Sequence, residues 1–272
     1  MKSIILQLIA LLYLSNVALG QLHFSATGGA LSNGMAGNGV TLTGVDAIFN
    51  NQAGLTDIEK FSFIASTELR NSIPDLIGFG AGISLPVEGF GVFALSASNL
   101  GLADYKEQKI GLAYARSLFS NFDIGLQLDL LNTSIVNFGS RTTGTFELGF
   151  LADFGKKFKI GAHIFSPVAI SILNEDNDVN SRLRIGGSYT PSDKVRILLE
   201  LEKWFQNDLG LKGGFEYQLV ENIAVRIGMS TNPVYYSIGL SYNIFGDLSL
   251  DGAYSTHSTL GGTPSFTIKN DR

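Results

Sequence analysis

The chain of 272 residues has no cysteine, which excludes disulfides, thiol nucleophiles and cysteine-ligated metals. It is also poor in charge. Asp, Glu, Lys and Arg together make up 16% of the residues, against roughly 25% in ordinary soluble domains. The net charge is −5, so there is no overall basic field to attract nucleic acid. We therefore expect no nucleic-acid partner.

The sequence also lacks catalytic and metal-binding motifs. Its three histidines, His23, His163 and His257, are far apart, and no metalloprotease, nucleophile-elbow or P-loop motif occurs. The acidic run at residues 175–178 lacks the spacing and the glycine of a calcium loop, so we predict a solvated loop there. We predict that the protein is not an enzyme and has no resident metal or cofactor.

The first twenty residues, MKSIILQLIALLYLSNVALG, have the pattern of an export signal. Lys2 precedes an apolar run from Ile4 to Leu14, and the last three residues form a small-x-small cleavage signature. The run is shorter than the roughly 20 apolar residues of a membrane-spanning helix, which disfavours an uncleaved anchor. We predict a signal peptide over residues 1–20. No later segment approaches the length of a spanning helix.

From about residue 60 onward the hydrophobic pattern has a period of two, which is typical of β-strands. For example, Ile197, Leu199 and Leu201 alternate with polar Glu200 and Glu202. We predict about 14 strands from this alternation. They lie near 61–70, 76–86, 90–98, 107–117, 122–132, 142–154, 157–166, 180–189, 194–203, 208–217, 222–230, 234–243, 247–256 and 261–269.

The length of these strands and their connections favour a transmembrane barrel. Most approach the roughly 9–11 residues that a tilted strand needs to cross a bilayer. Every other connection is a compact turn, and the others are more variable and often longer, as in outer-membrane barrels. A soluble sandwich or lipocalin-like barrel also alternates, but such strands are shorter and a soluble surface needs more charge. We predict an all-β fold: an antiparallel transmembrane β-barrel of about 14 strands over residues 61–272, in the outer membrane and in contact with its lipid.

Charged residues recur on the polar face of the strands, which faces the lumen if the apolar face meets lipid. These predicted lumen residues are Asp129, Glu147, Asp153, Arg182, Arg184, Arg196, Glu200, Glu202, Lys212, Glu216 and Arg226. Both signs occur, so we interpret them as a network of ion pairs that fills the interior. A selective pore lining is the alternative.

Residues 28–55 precede the strands and are rich in Gly and Asn. A dinucleotide-binding loop needs a third glycine after Gly37-Asn38-Gly39 that is absent, and a flexible linker would lack apolar residues such as Met35 and Phe49. We predict that residues 21–60 fold into the lumen from the end with short turns.

The motifs GMAGNGV (residues 34–40) and FNNQAGL (residues 49–55) resemble the N-terminal signature of the FadL-like outer-membrane superfamily. Gln52 stands where that signature usually has proline. The resemblance implies a 14-stranded barrel with an N-terminal hatch, and it points to the branch of the PorV and PorQ proteins. The candidate hatch or ligand-contacting residues are Met35, Ile48, Phe49, Asn50, Asn51, Gln52, Ala53 and Gly54.

Three functions follow from this resemblance and this pattern. The first is an accessory or shuttle protein of type IX secretion, whose partners are secretion-system proteins. The second is a transporter of hydrophobic small molecules such as long-chain fatty acids, with an apolar pocket that includes Ile48 and Phe49. The third is a purely structural barrel whose lumen is filled.

Overall fold

The computed structural model describes residues 28–168, 170–171, 179–205, 208–257 and 259–270. The predicted signal peptide and the acidic run at residues 175–178 lie outside these residues. The strands are β1 (Ser62–Leu69), β2 (Ile77–Val87), β3 (Gly91–Leu100), β4 (Tyr105–Phe119), β5 (Phe122–Ile135), β6 (Gly139–Phe154), β7 (Phe158–Phe165), β8 (Ile170–Ser171), β9 (Arg182–Ser192), β10 (Val195–Trp204), β11 (Gly210–Val220), β12 (Ile223–Thr231), β13 (Val234–Phe245), β14 (Leu248–His257) and β15 (Gly261–Asn270).

The long strands close into one antiparallel barrel. Each pairs with its neighbours along the chain, β7 pairs with β9, and β1 completes the ring by pairing with β15. The two-residue strand β8 pairs only with β6 and is not part of the ring. The prediction of a 14-stranded antiparallel transmembrane barrel is confirmed, and each predicted strand overlaps an observed one.

The alternation in sequence separates the two faces of the barrel wall. On β5 the side chain of Gln127 is 0% exposed, whereas that of its neighbour Leu128 is 56% exposed. The same contrast recurs around the ring, and the outer face carries exposed Ile, Leu and Phe side chains such as Ile238, at 61%. An outer surface this apolar suits contact with lipid chains rather than water.

The N-terminal segment, residues 28–58, lies against the inner face of the wall. It contains a one-turn α-helix (Ala30–Asn33) and two 3-10 helices (Gly44–Phe49 and Gln52–Asp57). Two further 3-10 turns, Arg70–Ser72 and Pro74–Leu76, follow β1. Among the described residues, no helix has the length and apolar character needed to cross a membrane.

The two ends of the barrel differ. We call the end that carries the 70–76 and 101–104 connections the long-loop end, and the opposite end the short-turn end. The N-terminal segment leads into β1 at the short-turn end, where Lys60 forms an ion pair with Asp247 of the β13–β14 turn. Its other contacts, described next, extend from this end towards the middle of the lumen.

Candidate functional site

The second part of the N-terminal segment, residues 44–58, is held by apolar packing. Val45, Ile48 and Leu55 are at most 1% exposed and form a cluster with inward-facing Val92 and Ala113 of the wall. Small side chains on this stretch of wall leave room for the two 3-10 helices. Burial of a Leu or Ile side chain contributes about 1.5–3 kcal/mol, so this cluster is a strong anchor.

Inward-facing glycines allow the segment to approach the wall closely. A Cβ atom added at Gly228 would lie 2.3 Å from the carbonyl carbon of Met35, and one at Gly149 would lie 2.0 Å from Asn51 Oδ1. Both distances are far below van der Waals contact, so no other residue fits without movement. The inward-facing glycines of the wall thus leave the space that the segment occupies.

Asn50 and Asn51 of the sequence motif connect the segment to itself and to the wall. Asn51 Nδ2 donates to the carbonyl oxygens of Val40 (2.7 Å) and Phe150 (3.0 Å), while Asn51 Oδ1 accepts from the amide of Ala53 at 3.2 Å. Asn50 Nδ2 donates to the carbonyl oxygens of Gly28 and Asp46, both at 2.9 Å. These amides satisfy backbone groups that water cannot reach.

Gln52, which replaces the usual proline of the signature, joins a polar cluster in the lumen. Its Nε2 donates to Glu147 Oε2 at 3.0 Å, and its Oε1 lies 3.2 Å from His163 Nε2. His163 Nε2 is also 2.8 Å from Glu147 Oε2, and Lys109 forms an ion pair with the other oxygen of Glu147. Asp129 lies 3.4 Å from the Lys109 ammonium. Proline at position 52 would lose the side-chain bonds of this cluster.

Arg184 and Glu200 form a clamp around the turn at residues 37–40. Arg184 bonds Glu200 through two hydrogen bonds, Nε to Oε1 (2.7 Å) and Nη2 to Oε2 (2.9 Å). Glu200 Oε2 accepts from the backbone amides of Gly39 and Val40, both at 3.0 Å. Arg184 also donates to the carbonyl oxygens of Gly37 (3.0 Å) and Asn50 (3.3 Å). One buried ion pair therefore holds both parts of the segment.

The antiparallel register places charges of opposite sign side by side on the lumen wall. Direct cross-strand partners are Arg184 and Glu202, Glu200 and Lys212, Arg196 and Glu216, and Glu216 and Arg226. The side-chain distances include Lys212 Nζ to Glu202 Oε2 at 2.8 Å and Arg196 Nη2 to Glu216 Oε1 at 2.9 Å. On one side of the lumen, the charges thus compensate each other pair by pair.

The remaining predicted site residues take varied positions. Met35, Ala53 and Gly54 are buried inside the segment or against the wall, and Phe49 packs on the apolar cluster. Asp153 pairs with Lys159 at 3.2 Å, near the short-turn end. Arg182 lies 3.8 Å from Glu202, with its guanidinium 5.0 Å from the centre of the Trp204 ring. None of the eight candidate hatch residues lines the large cavity described below.

Several lumen residues were not singled out from the sequence. They are Asp46, Lys109, His163, Trp204, Asp251 and Lys269. Lys109, His163 and Asp251 occupy the polar phase of alternating strands, so the same period-two pattern could have found them. Asp46, in contrast, pairs with Lys269, which lies 223 positions away along the chain, and no local pattern indicates that contact.

A cavity of about 850 Å³, which we call the vestibule, lies above the N-terminal segment at the long-loop end. Asn33 and Gly37 of the segment form its floor. Its wall comes from the ends of β1, β10 and β13–β15 and from the connections next to them, with Glu68, Trp204 and Tyr235 among the lining residues. The size falls within the roughly 300–1,000 Å³ of small-molecule sites.

A second, smaller cavity of about 200 Å³ lies on the short-turn side of the same region of the lumen. Its lining is charged and polar, and includes Arg196, Glu216, Arg226, Asp251 and Lys269. Within the part of the chain that the structure describes, no three His, Asp or Glu residues are grouped so that they could hold a metal ion. The described lumen thus has one cavity on each side of the segment.

Comparison with known proteins finds the fold but no close relative. No family model and no curated protein matches the chain. Among solved structures, it resembles the CymD monoaromatic hydrocarbon channel, with 14% identity over 90% of this chain and 97% of that chain and a TM-score of 0.70. The Ralstonia pickettii toluene transporter TbuX (11% identity, 89% and 98% covered, TM-score 0.67) is similar. So is a Pseudomonas aeruginosa FadL homologue (12% identity, 89% and 98% covered, TM-score 0.64). At these identities the likeness shows a shared barrel fold.

Proposed function

We propose that the protein is an outer-membrane channel that takes up a small molecule. The solute enters the vestibule from the long-loop end and passes the N-terminal segment, which acts as a hatch. The observation that carries this proposal is the position of the vestibule, a cavity of about 850 Å³ whose floor is the segment itself. Long loops face outward in outer-membrane barrels, so this orientation places the vestibule on the cell exterior. The signal over residues 1–20 supplies the route of export.

Support also comes from the proteins with the same fold, whose names describe hydrocarbon and toluene transport. These names favour uptake over the accessory role in type IX secretion that the motif resemblance suggested. The secretion role stays a prediction, and it rests on the residues of the motif alone. The third candidate, a purely structural barrel with a filled lumen, does not account for the two cavities, one on each side of the segment.

The absence of native cysteine allows a direct test by a reversible tether. The amide of Ala36 lies 2.7 Å from Ser237 Oγ on the wall, so Ala36→Cys with Ser237→Cys places two thiols close together. We expect vesicles that contain the reduced double variant to admit solute, and the oxidised form to admit less until reductant is added. The single Ser237→Cys variant, treated with oxidant, is the matched control.

The solute panel consists of glucose, sucrose and glycine in vesicle swelling, with toluene and laurate in binding to the purified barrel. No response to any member of the panel would overturn the uptake proposal. An empty barrel that co-purifies with a large protein partner from outer-membrane extracts would favour the secretion role instead. Equal flux before and after oxidation would show that solute does not pass the segment.

A further inference from the structure

The vestibule lining combines polar and apolar surface. Most of its residues carry side chains with hydrogen-bonding groups, including Glu68, Asn71, Asp208, Asn232 and His257, whereas Leu260 and Pro233 are its aliphatic members. A pure hydrocarbon in this cavity would contact the apolar part of the lining, but it would remove water from these polar groups without replacing the lost hydrogen bonds. Burial of a polar group without a partner costs about 1–3 kcal/mol. The lining therefore favours a ligand that itself carries hydrogen-bonding groups.

Two aromatic rings lie on the same cavity wall and are held in place. Trp204 is the single tryptophan of the chain. It is the last residue of β10 and lies in register with the inward-facing residues of that strand. The Arg182 guanidinium is 5.0 Å from its ring centre. Tyr235 donates its hydroxyl to the carbonyl oxygen of Ala36 at 2.7 Å, which ties its ring to the hatch. Aromatic rings that are held in place, with an apolar face and a polar O–H or N–H group, suit a ligand that has both an apolar and a polar surface.

The charge of the vestibule is partly compensated, and Asp208 is a lining carboxylate outside the Glu68–Arg70 pair. Glu68 pairs with Arg70 and also accepts from Asn33 Nδ2 at 3.2 Å. Asn71 adds a neutral amide, with one acceptor and two donor hydrogens, and its position is set by its own backbone amide, which bonds Thr263 Oγ1 at 2.9 Å. A site of this kind favours a neutral ligand over a strongly charged one.

The polar character continues on the other side of the hatch. The smaller cavity below it, in the same β10–β15 region, is lined by charged and amide side chains such as Arg226 and Asp251. A solute that passes Met35 and the turn at residues 37–40 therefore meets a polar surface again, and a polar solute can form hydrogen bonds with it, whereas a hydrocarbon cannot.

We propose that the vestibule binds a neutral polyhydroxylated ring compound, which is the chemistry of a sugar. The C–H face of the ring lies against Trp204 and Tyr235, and its hydroxyl groups bond to Asn71, Asp208 and the Glu68–Arg70 pair. This inference rests on the proposed uptake function and specifies its substrate class.

The test uses the single tryptophan as the reporter. We expect glucose or sucrose to change Trp204 emission of the purified full-length barrel in a saturable way, and toluene to leave it unchanged. Asn71→Gly removes the amide side chain at a residue with a φ of 53°, which glycine adopts without strain. It should weaken the sugar affinity about fivefold, the equivalent of one hydrogen bond.

The matched control is Asn137→Gly, another asparagine of positive φ (67°), which is exposed in the β5–β6 connection and does not line the vestibule. Its sugar affinity should equal that of the parent chain. Saturation by toluene but by no sugar would overturn the sugar inference and leave the uptake function standing. Equal affinities of Asn71→Gly and the parent would also overturn it. If no probe changed Trp204 emission and no solute entered the vesicles, both proposals would be overturned.

Discussion

The two parts of the N-terminal segment are attached to the barrel by different proportions of apolar and polar contact. Residues 44–58 bury Val45, Ile48 and Leu55 in an apolar cluster with the β3–β4 wall. Residues 28–43 meet the opposite wall through hydrogen bonds to Glu200, Ser237 and Thr267, and through a smaller apolar cluster of Leu31, Met35 and Leu42 with Leu198. Exposing apolar contacts to water costs free energy. A hydrogen bond between the segment and the wall can instead be replaced by hydrogen bonds to water, so its loss costs less. The first part, under the vestibule, has the smaller apolar cluster and is therefore the part that we expect to move.

Loss of the clamp should have the largest effect. Arg184→Met leaves Glu200 buried without its bidentate partner, although Lys212 remains 3.8 Å away. Breaking a buried ion pair in this way costs about 3–5 kcal/mol. We expect a loss of unfolding free energy of that order in urea titrations of the barrel in lipid vesicles. Arg116→Met, at an exposed position of β4, is the control and should change little. Equal effects of the two variants would contradict a special role for the clamp.

Truncation of Leu55 tests the apolar attachment. Leu55 is 0% exposed, and Leu55→Ala should cost about 3 kcal/mol, since the cavity left behind adds to the lost burial. Leu112→Ala is the matched control, because Leu112 is 56% exposed on the outer face, where lipid chains fill the vacated space. Protease sensitivity of residues 28–58 should rise only in the Leu55 variant. If Leu112→Ala were equally damaging, packing inside the lumen would not be the cause.

A methyl group at Gly228 tests the close approach of the first part. Gly228→Ala places Cβ against backbone atoms of Met35, so the segment must shift, at a cost of about 2 kcal/mol. Gly213→Ala on the adjacent strand is the control, since the nearest atom to its Cβ is 3.8 Å away. The readout is the unfolding free energy, with solute flux measured in parallel. A neutral Gly228 variant would show that the contact is not tight.

The smallest effect is expected at the entrance of the segment. Lys60 and Asp247 form an ion pair at the short-turn end, with 53% and 33% of their side chains exposed. Lys60→Ala should therefore lower the unfolding free energy by less than about 1 kcal/mol, and less still in high salt. Lys156→Ala, in the exposed β6–β7 turn, is the comparison. A loss as large as that of Arg184→Met would reverse the proposed order of attachments.

Much of the barrel was predictable because its signal is local. The period-two alternation places Gln127 and Leu128 on opposite faces, and it located each long strand to within about three residues. The two-residue strand β8 was not predicted, since it has too few residues to show a period. The motif residues Asn51 and Gln52 were identified, and so was Glu147 on β6, but the contacts of the motif with Glu147, Phe150 and His163 were not predicted.

The sequence by itself determined the closed antiparallel barrel, the apolar outer face and the charged inner face, because alternate side chains of a strand point to opposite sides. The tertiary structure alone decided which charges pair and where the segment binds. Gly39 and Glu200, for example, are 161 positions apart, and only barrel closure brings them within 3.0 Å. The vestibule likewise exists only because five separate stretches of chain meet at the long-loop end, at residues 33–37, 68–71, 204–208, 232–235 and 255–263. Such contacts depend on register and closure, which no local pattern encodes.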